Sequence, residues 1–153
     1  MPLELGVGLQ EAAQRIRPVR PDYQNLPIEQ GFDWPAIADH DFDTLYLVVF
    51  RSVRRPDADL DLLRWFDDLA YAEALASGGL LRYFKGDADG RGHCLSFCLW
   101  ESREAASRAA GGKKHEQAAS ITARMYVSYD LERYELTPAD AGERPHFRRL
   151  WPV

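Results

Sequence analysis

HCLSFCLWESREAASRAAGGKKHEQAASITARM, residues 93–125, is the stretch whose reading decides the fold. It opens on an alternation, with Leu95, Phe97 and Leu99 on one side and Cys94, Ser96, Cys98 and Trp100 on the other. That is the two-residue period of a strand. After Glu101 a helix is predicted from near Ser102, Gly111-Gly112 breaks it, and a second helix carries His115. Both sides of the strand are largely apolar. One is expected to meet helices, and the other most simply meets the sheet of a second copy.

Working outward, Thr44 to Val53 reads as the clearest strand, β-branched and aromatic until Arg51. Pro56-Asp57 is predicted to open a helix, with Asp57 as its cap and the acids at 57, 59 and 61 facing the positive end of the helix dipole. Leu62, Leu63, Phe66, Leu69 and Ala70 form the core stripe of that helix, while Leu60, Tyr71 and Leu75 lie on its other side. Gly78-Gly79 stops it. Leu80 to Lys85 is a further strand, joined to the one beginning at His93 by a turn built on Asp89-Gly90, and Tyr126 to Leu136 is the last. Asp87-x-Asp89-Gly90 lacks the later ligands of a calcium loop. The order strand, helix, strand, strand, helix pair, strand is that of an α+β domain: a ferredoxin-like four-stranded antiparallel sheet with helices on one face. It occupies residues 44–137, between an N-terminal arm, 1–43, and a C-terminal tail, 138–153.

Pro18, Pro21, Pro27 and Pro35 punctuate the arm too often for a long element, although Leu9 to Ile16 suits a short helix. Phe32, Trp34, Ile37 and Phe42 are more apolar anchors than a solvated linker carries, so the arm is expected to pack on the domain or on a second subunit. The tail offers Phe147, Leu150 and Trp151.

Composition narrows the function classes. A net charge of -5 argues against nucleic acid as the main partner, and the cluster Arg51, Arg54, Arg55 is followed at once by Asp57, Asp59 and Asp61, which reads as local cancellation. The longest apolar run, Leu45 to Phe50, is far short of the roughly 20 residues that cross a bilayer. The first residues lack the basic and apolar blocks of a secretory signal. Cys94 and Cys98 share a strand face about 13 Å apart, too far to bond each other. Two free thiols fit a reducing compartment, and the expected location is the cytoplasm. No nucleotide loop or metal set stands out: His40 with Asp41 and Asp43 reads better as a capped loop than as a partial metal site.

Leu99-Trp100-Glu101-Ser102-Arg103-Glu104-Ala105-Ala106, a Gly break, His115-Glu116-Gln117-Ala118-Ala119, and the closing strand Tyr129-Asp130-Leu131-Glu132-Arg133-Tyr134 together resemble the antibiotic biosynthesis monooxygenases of the dimeric α+β barrel superfamily. The resemblance covers roughly residues 44–137. It implies a homodimer acting on a small-molecule substrate, with a cavity between sheet and helices that Trp100, Ser96, Cys94 and Cys98 would border. There Trp100 would stack on a planar substrate, Ser96 would offer a hydrogen bond, Cys98 and Tyr46 would line the site, and Tyr83, Tyr126 or Tyr129 would offer a phenol. His115 is the candidate proton acceptor. The competing reading makes the small side chains aids to close helix packing and His115 a local brace of the helix break. Haem-degrading relatives carry an iron-binding His about one turn further on, where Ala118 or Ala119 stands here. The expectation is therefore no cofactor, with haem in a different geometry as the alternative. An oxygenase without a cofactor needs a substrate that itself reduces oxygen; the alternative function is a non-catalytic ligand-binding or accessory protein of the same fold, its arm sealing the cavity mouth.

Overall fold

The computed structural model describes residues 2–151. The first helix, α1 (Pro2–Ala13), is longer than the sequence suggested, and is followed by a 3-10 turn at Tyr23–Asn25, a single helical turn, α2 (Ile28–Gly31), and a second 3-10 turn at Trp34–Ile37. The domain continues with β1 (Leu45–Arg54), α3 (Leu60–Ser77), β2 (Leu80–Phe84), β3 (His93–Trp100), α4 (Arg103–Ala110), α5 (Lys113–Met125), β4 (Tyr126–Thr137) and β5 (His146–Arg149).

The sheet has the order β2-β3-β1-β4-β5 and its pairings are antiparallel. It therefore has five strands rather than the expected four. The extra strand comes from the tail: Phe147 pairs with Leu136, and the Arg148 guanidinium meets Glu135 at 2.7 Å. Helix α3 also begins later than expected, with Asp59 rather than Asp57 as its cap, accepting from the Leu62 N–H at 3.1 Å. The cause is tertiary: the Arg55 N–H is held by the Met125 carbonyl at 3.0 Å, which carries the chain past residue 57 before the helix can start. Ser102 caps α4 as its sequence position suggests, accepting from Ala105 N–H.

The arm decides the second face of the sheet. Ile16, Ile28, Phe32, Trp34 and Ile37 lie against Leu45, Leu47, Val49, Leu95, Phe97, Leu99 and Leu136 in one buried cluster. Trp34 is fully enclosed, its indole N–H donating to the Ile28 carbonyl at 2.8 Å. The Phe32 ring meets Tyr23, Phe84 and Phe97 with centroids 5.0–5.5 Å apart, mostly edge to face. The loop before it closes on itself through the Val19 N–H to the Gly31 carbonyl and the Asp33 N–H to the Arg17 carbonyl, both 2.9 Å. Arg51 then fastens the arm to the sheet. Its Nε donates to Glu132 at 2.7 Å, and its two Nη atoms donate to the carbonyls of Gln24 and Leu26 at 3.1 and 2.7 Å. The face reserved in the sequence reading for a second copy is thus filled by the chain's own arm, so a homodimer is not needed to cover it. The arm from Ile16 to Ile37 thus lies opposite the helices, while α1 reaches the β2 edge, where Gln10 and Gln14 border a hollow with Tyr71 and Leu75 of α3.

Candidate functional site

The helix side of the sheet is built differently. Alternation and register place Tyr46, Val48, Phe50, Ser52 and Arg54 of β1 on this side. They run beside Trp100, Cys98, Ser96 and Cys94 of β3 and Glu135, Arg133, Leu131, Tyr129 and Tyr126 of β4. The face is a row of rungs, closed at the Tyr46 end and looser toward Arg54.

At the closed end Trp100 is 3% exposed and packs with Tyr46, Leu80 and the alanines Ala74, Ala105 and Ala109. The small residues let α3 and α4 approach, so the indole is shut in rather than presented to a ligand. Gly79, at φ 86°, belongs to the same packing, since a Cβ there would sit 2.5 Å from the Ala105 Cβ. Tyr46 shares this enclosure, with the Arg103 guanidinium 6.0 Å from its ring. His115 stands at the start of α5, where Gly112 supplies no side-chain cap. The cap comes instead from α3: the Glu73 carboxylate accepts the N–H groups of Lys114 at 3.0 Å and His115 at 3.2 Å. Gly112 makes the approach achievable, because any Cβ there would collide with that carboxylate. Desolvation opposes ionisation of Glu73, but the two backbone N–H groups and the nearby imidazole outweigh it, and the carboxyl is held below its usual range. The His115 ring points the same way, Nδ1 3.7 Å from Glu73 and enclosed without a hydrogen-bond partner.

Midway along the face, Tyr83 donates its hydroxyl to Asp67 of α3 at 2.7 Å, and Lys85 holds the other carboxylate oxygen at 2.9 Å. Burial, with the Asp67 charge beside it, pushes the Tyr83 phenol far above its ordinary value, so it remains a donor. The Cys98 thiol, in register with Val48 and Tyr83, is pushed up by burial and then by Asp67. It is a neutral thiol and no nucleophile. Ser96 lies one rung further on, but its Oγ accepts the Gly86 N–H at 3.2 Å and braces the β2–β3 hairpin.

The open end is aromatic. Tyr129 lies between Phe50 and Tyr126, with ring centroids 6.2 and 5.7 Å away. The residue is 42% exposed, yet burial raises its phenol well above the ordinary value, so the hydroxyl is the desolvated part of an exposed side chain. Tyr126 is raised in the same way, partly offset by Arg54, its partner in register. Cys94, beside Ser52, is raised by burial despite the same guanidinium.

The residues singled out from sequence are therefore not gathered in one place. Trp100 and Tyr46 are in the closed core, His115 is at the head of α5, Ser96 is at the hairpin, and Cys98 is in the middle. From His115 to Met125 the helix α5 runs about 15 Å, so the imidazole and the Tyr126–Tyr129 pair stand at opposite ends of that helix. Sequence reading missed Asp67 and Arg54. Asp67 carried a signal, being one turn from Leu63 and Ala70 on the core side of its helix. Arg54 was hidden by the acids that follow it. Ala119, one of the two positions where the resemblance sets an iron-binding His, lies outside the described side chains.

Solved structures share this architecture. A protein of Nitrosomonas europaea described as a candidate antibiotic biosynthesis monooxygenase superposes with a TM-score of 0.52 and 11% identity, covering 59% of this chain and 88% of its own. A candidate antibiotic biosynthesis monooxygenase of Caulobacter crescentus gives 0.52 at 17% identity, over 60% of this chain and 89% of its own. At these identities the likeness is one of fold, that of the antibiotic biosynthesis monooxygenase-like proteins. In sequence, the chain is 31% identical over 146 residues to the UPF0643 protein PB2B2.08 of Schizosaccharomyces pombe, a match covering 84% of this chain. It spans 66% of that relative's length. The PB2B2.08-like family model matches residues 6–149, arm and fifth strand included, and the chain belongs to that family.

Proposed function

We propose that the cleft between the helices and the sheet binds a planar small molecule, and that the protein oxidises it in the manner of a monooxygenase without a resident cofactor. The observation that carries this reading is Tyr129: an exposed aromatic side chain, flanked by Phe50 and Tyr126, with its hydroxyl desolvated. Such a surface stacks a flat ring system and offers phenolic donors to its oxygens. The chemistry suited to it converts an acidic CH2 of the substrate, with one O2, into a carbonyl and one water. The substrate supplies the electrons, one oxygen atom enters the carbonyl, and the other leaves with both hydrogens. The protein's part is to stack the ring, exclude water and accept the first proton. Asp67, midway along the cleft, is the acceptor nearer the aromatic wall, while His115 stands at the far end.

Oxygen uptake with a panel of anthrones, each carrying an acidic CH2, tests the proposal. Turnover is expected in the wild type, to fall roughly 100-fold in Asp67→Asn and to persist in His115→Ala, which keeps the backbone N–H groups of residues 114 and 115 on Glu73. Loss in His115→Ala with retention in Asp67→Asn would return the proton to the imidazole. Stoichiometric binding with no oxygen uptake across the panel would instead support a ligand-binding protein.

A further inference from the structure

Arg54 is a cation of the cleft that the fold leaves without a counter-ion. Its neighbours along the chain are accounted for, Arg51 by Glu132 at 2.7 Å and Arg55 by Asp57 at 3.3 Å. Arg54 has no carboxylate within ion-pair distance among the described residues, and its Nε is enclosed with no hydrogen-bond acceptor. An enclosed guanidinium N–H without an acceptor is costly, and the Nε atoms of Arg82 and Arg149 are in the same state; Arg54 is set apart by its place in the fold. It lies on the helix side of the sheet in register with Tyr126, whose phenol is a hydrogen-bond partner of the guanidinium and whose ring adjoins Tyr129. Both phenols stay protonated, so neither supplies the missing negative charge. Two acids on this side have other partners: Asp67 meets Tyr83 and Lys85, and Asp89 accepts the N–H groups of Arg91 and His93, each at 2.9 Å.

The geometry points to a subsite for an aromatic carboxylate, its ring laid on Tyr129 and Tyr126 and its carboxylate received by the Arg54 guanidinium. The inference rests on the cleft proposed above and adds the charge and chemical class of what enters it. A planar, two-oxygen anion suits the guanidinium fork, and the adjoining rings give that anion a flat apolar seat. The sequence hid this residue because charge was summed along the chain. In space Asp57 belongs to Arg55, and the remaining guanidinium turns toward the rings.

Calorimetric titration of the full chain at low ionic strength, with 2-naphthoate and its neutral isostere 2-naphthamide, tests the inference. The acid is expected to bind one per chain, about tenfold or more tighter than the amide. Arg54→Gln should erase that preference, while Arg54→Lys should keep part of it, having the charge without the fork. Equal binding of acid and amide to the wild type overturns the carboxylate subsite and leaves the cleft standing. So does a preference that survives Arg54→Gln. If neither compound binds, the cleft itself is overturned as a small-molecule site. The comparison of acid with amide is made on the wild-type protein, so it decides the matter even if a variant fails to fold.

Discussion

On the arm side of β1, Leu47 and Val49 are fully enclosed; on the helix side of the same strand, Val48 and Phe50 are only half-buried. The backbone is shared, so the difference lies in what each face is given to pack against. The arm brings bulky rings, Phe32 and Trp34, which interlock with Phe97 and Phe147 at centroid distances of 5.1–5.3 Å. The helices bring alanines, Ala70, Ala74, Ala105 and Ala109. Close helix packing seals the Trp100 end, whereas toward the other end Phe50 and Tyr126 are only half-buried and Tyr129 is exposed. One face is packed throughout, and the other is packed only at its Trp100 end.

If that division is right, the largest stability losses lie on the arm side. Trp34→Ala removes a fully enclosed ring and strands the Ile28 carbonyl that its N–H satisfies. A loss of about 3–5 kcal/mol is expected, a large share of a typical domain's total. Urea denaturation reads it directly. A loss below about 1 kcal/mol would mean that the arm is an accessory layer and that the sheet is stable without it. Arg51→Met should come next. It leaves Glu132 without its cation and frees the carbonyls of Gln24 and Leu26. The ion pair is 23% and 12% exposed on its two sides, so solvent recovers part of the loss and about 2 kcal/mol is expected. Naphthoate binding on the opposite face should be unchanged in this variant. A parallel loss of binding would show that the two faces are coupled.

The sequence displayed the strands of the central domain because their residues carry the pattern themselves: β-branched and aromatic runs in β1, strict alternation in β3. It also displayed the apolar character of the arm through Phe32 and Trp34. Which face the arm covers was not legible, since alternation shows that both sides of β3 are apolar without saying what meets them. The fifth strand was hidden for a related reason. His-Phe-Arg-Arg at 146–149 has no strand signature of its own and is extended because β4 offers an edge and Glu135 a charge. The site divides in the same way. The tyrosines were visible as candidates, but Arg54 and Asp67 acquire meaning only when the chain sets one opposite Tyr126 and the other against Tyr83. Trp100 misled because an aromatic beside small residues describes a tight helix contact as well as it describes a pocket.

The smallest expected effect tests the join between the two regimes, at the head of α5. Glu73 caps this helix from α3, and its carboxyl is held below the ordinary range by the N–H groups it accepts, against the cost of desolvation. Folding thus lowers its pKa from an unfolded value of about 4.3. The stabilisation is fully present above that value and is lost as pH falls through the lower, folded one. Glu73→Gln keeps an acceptor oxygen and discards the charge, so the variant should be modestly less stable at neutral pH. The gap from wild type should narrow below about pH 4 and close as the native carboxyl takes its proton. Thermal melts of both proteins across that range measure it. A gap that stays constant with pH would mean the carboxylate acts by shape alone, through its fit against Gly112, and that its charge contributes nothing to the capped helix.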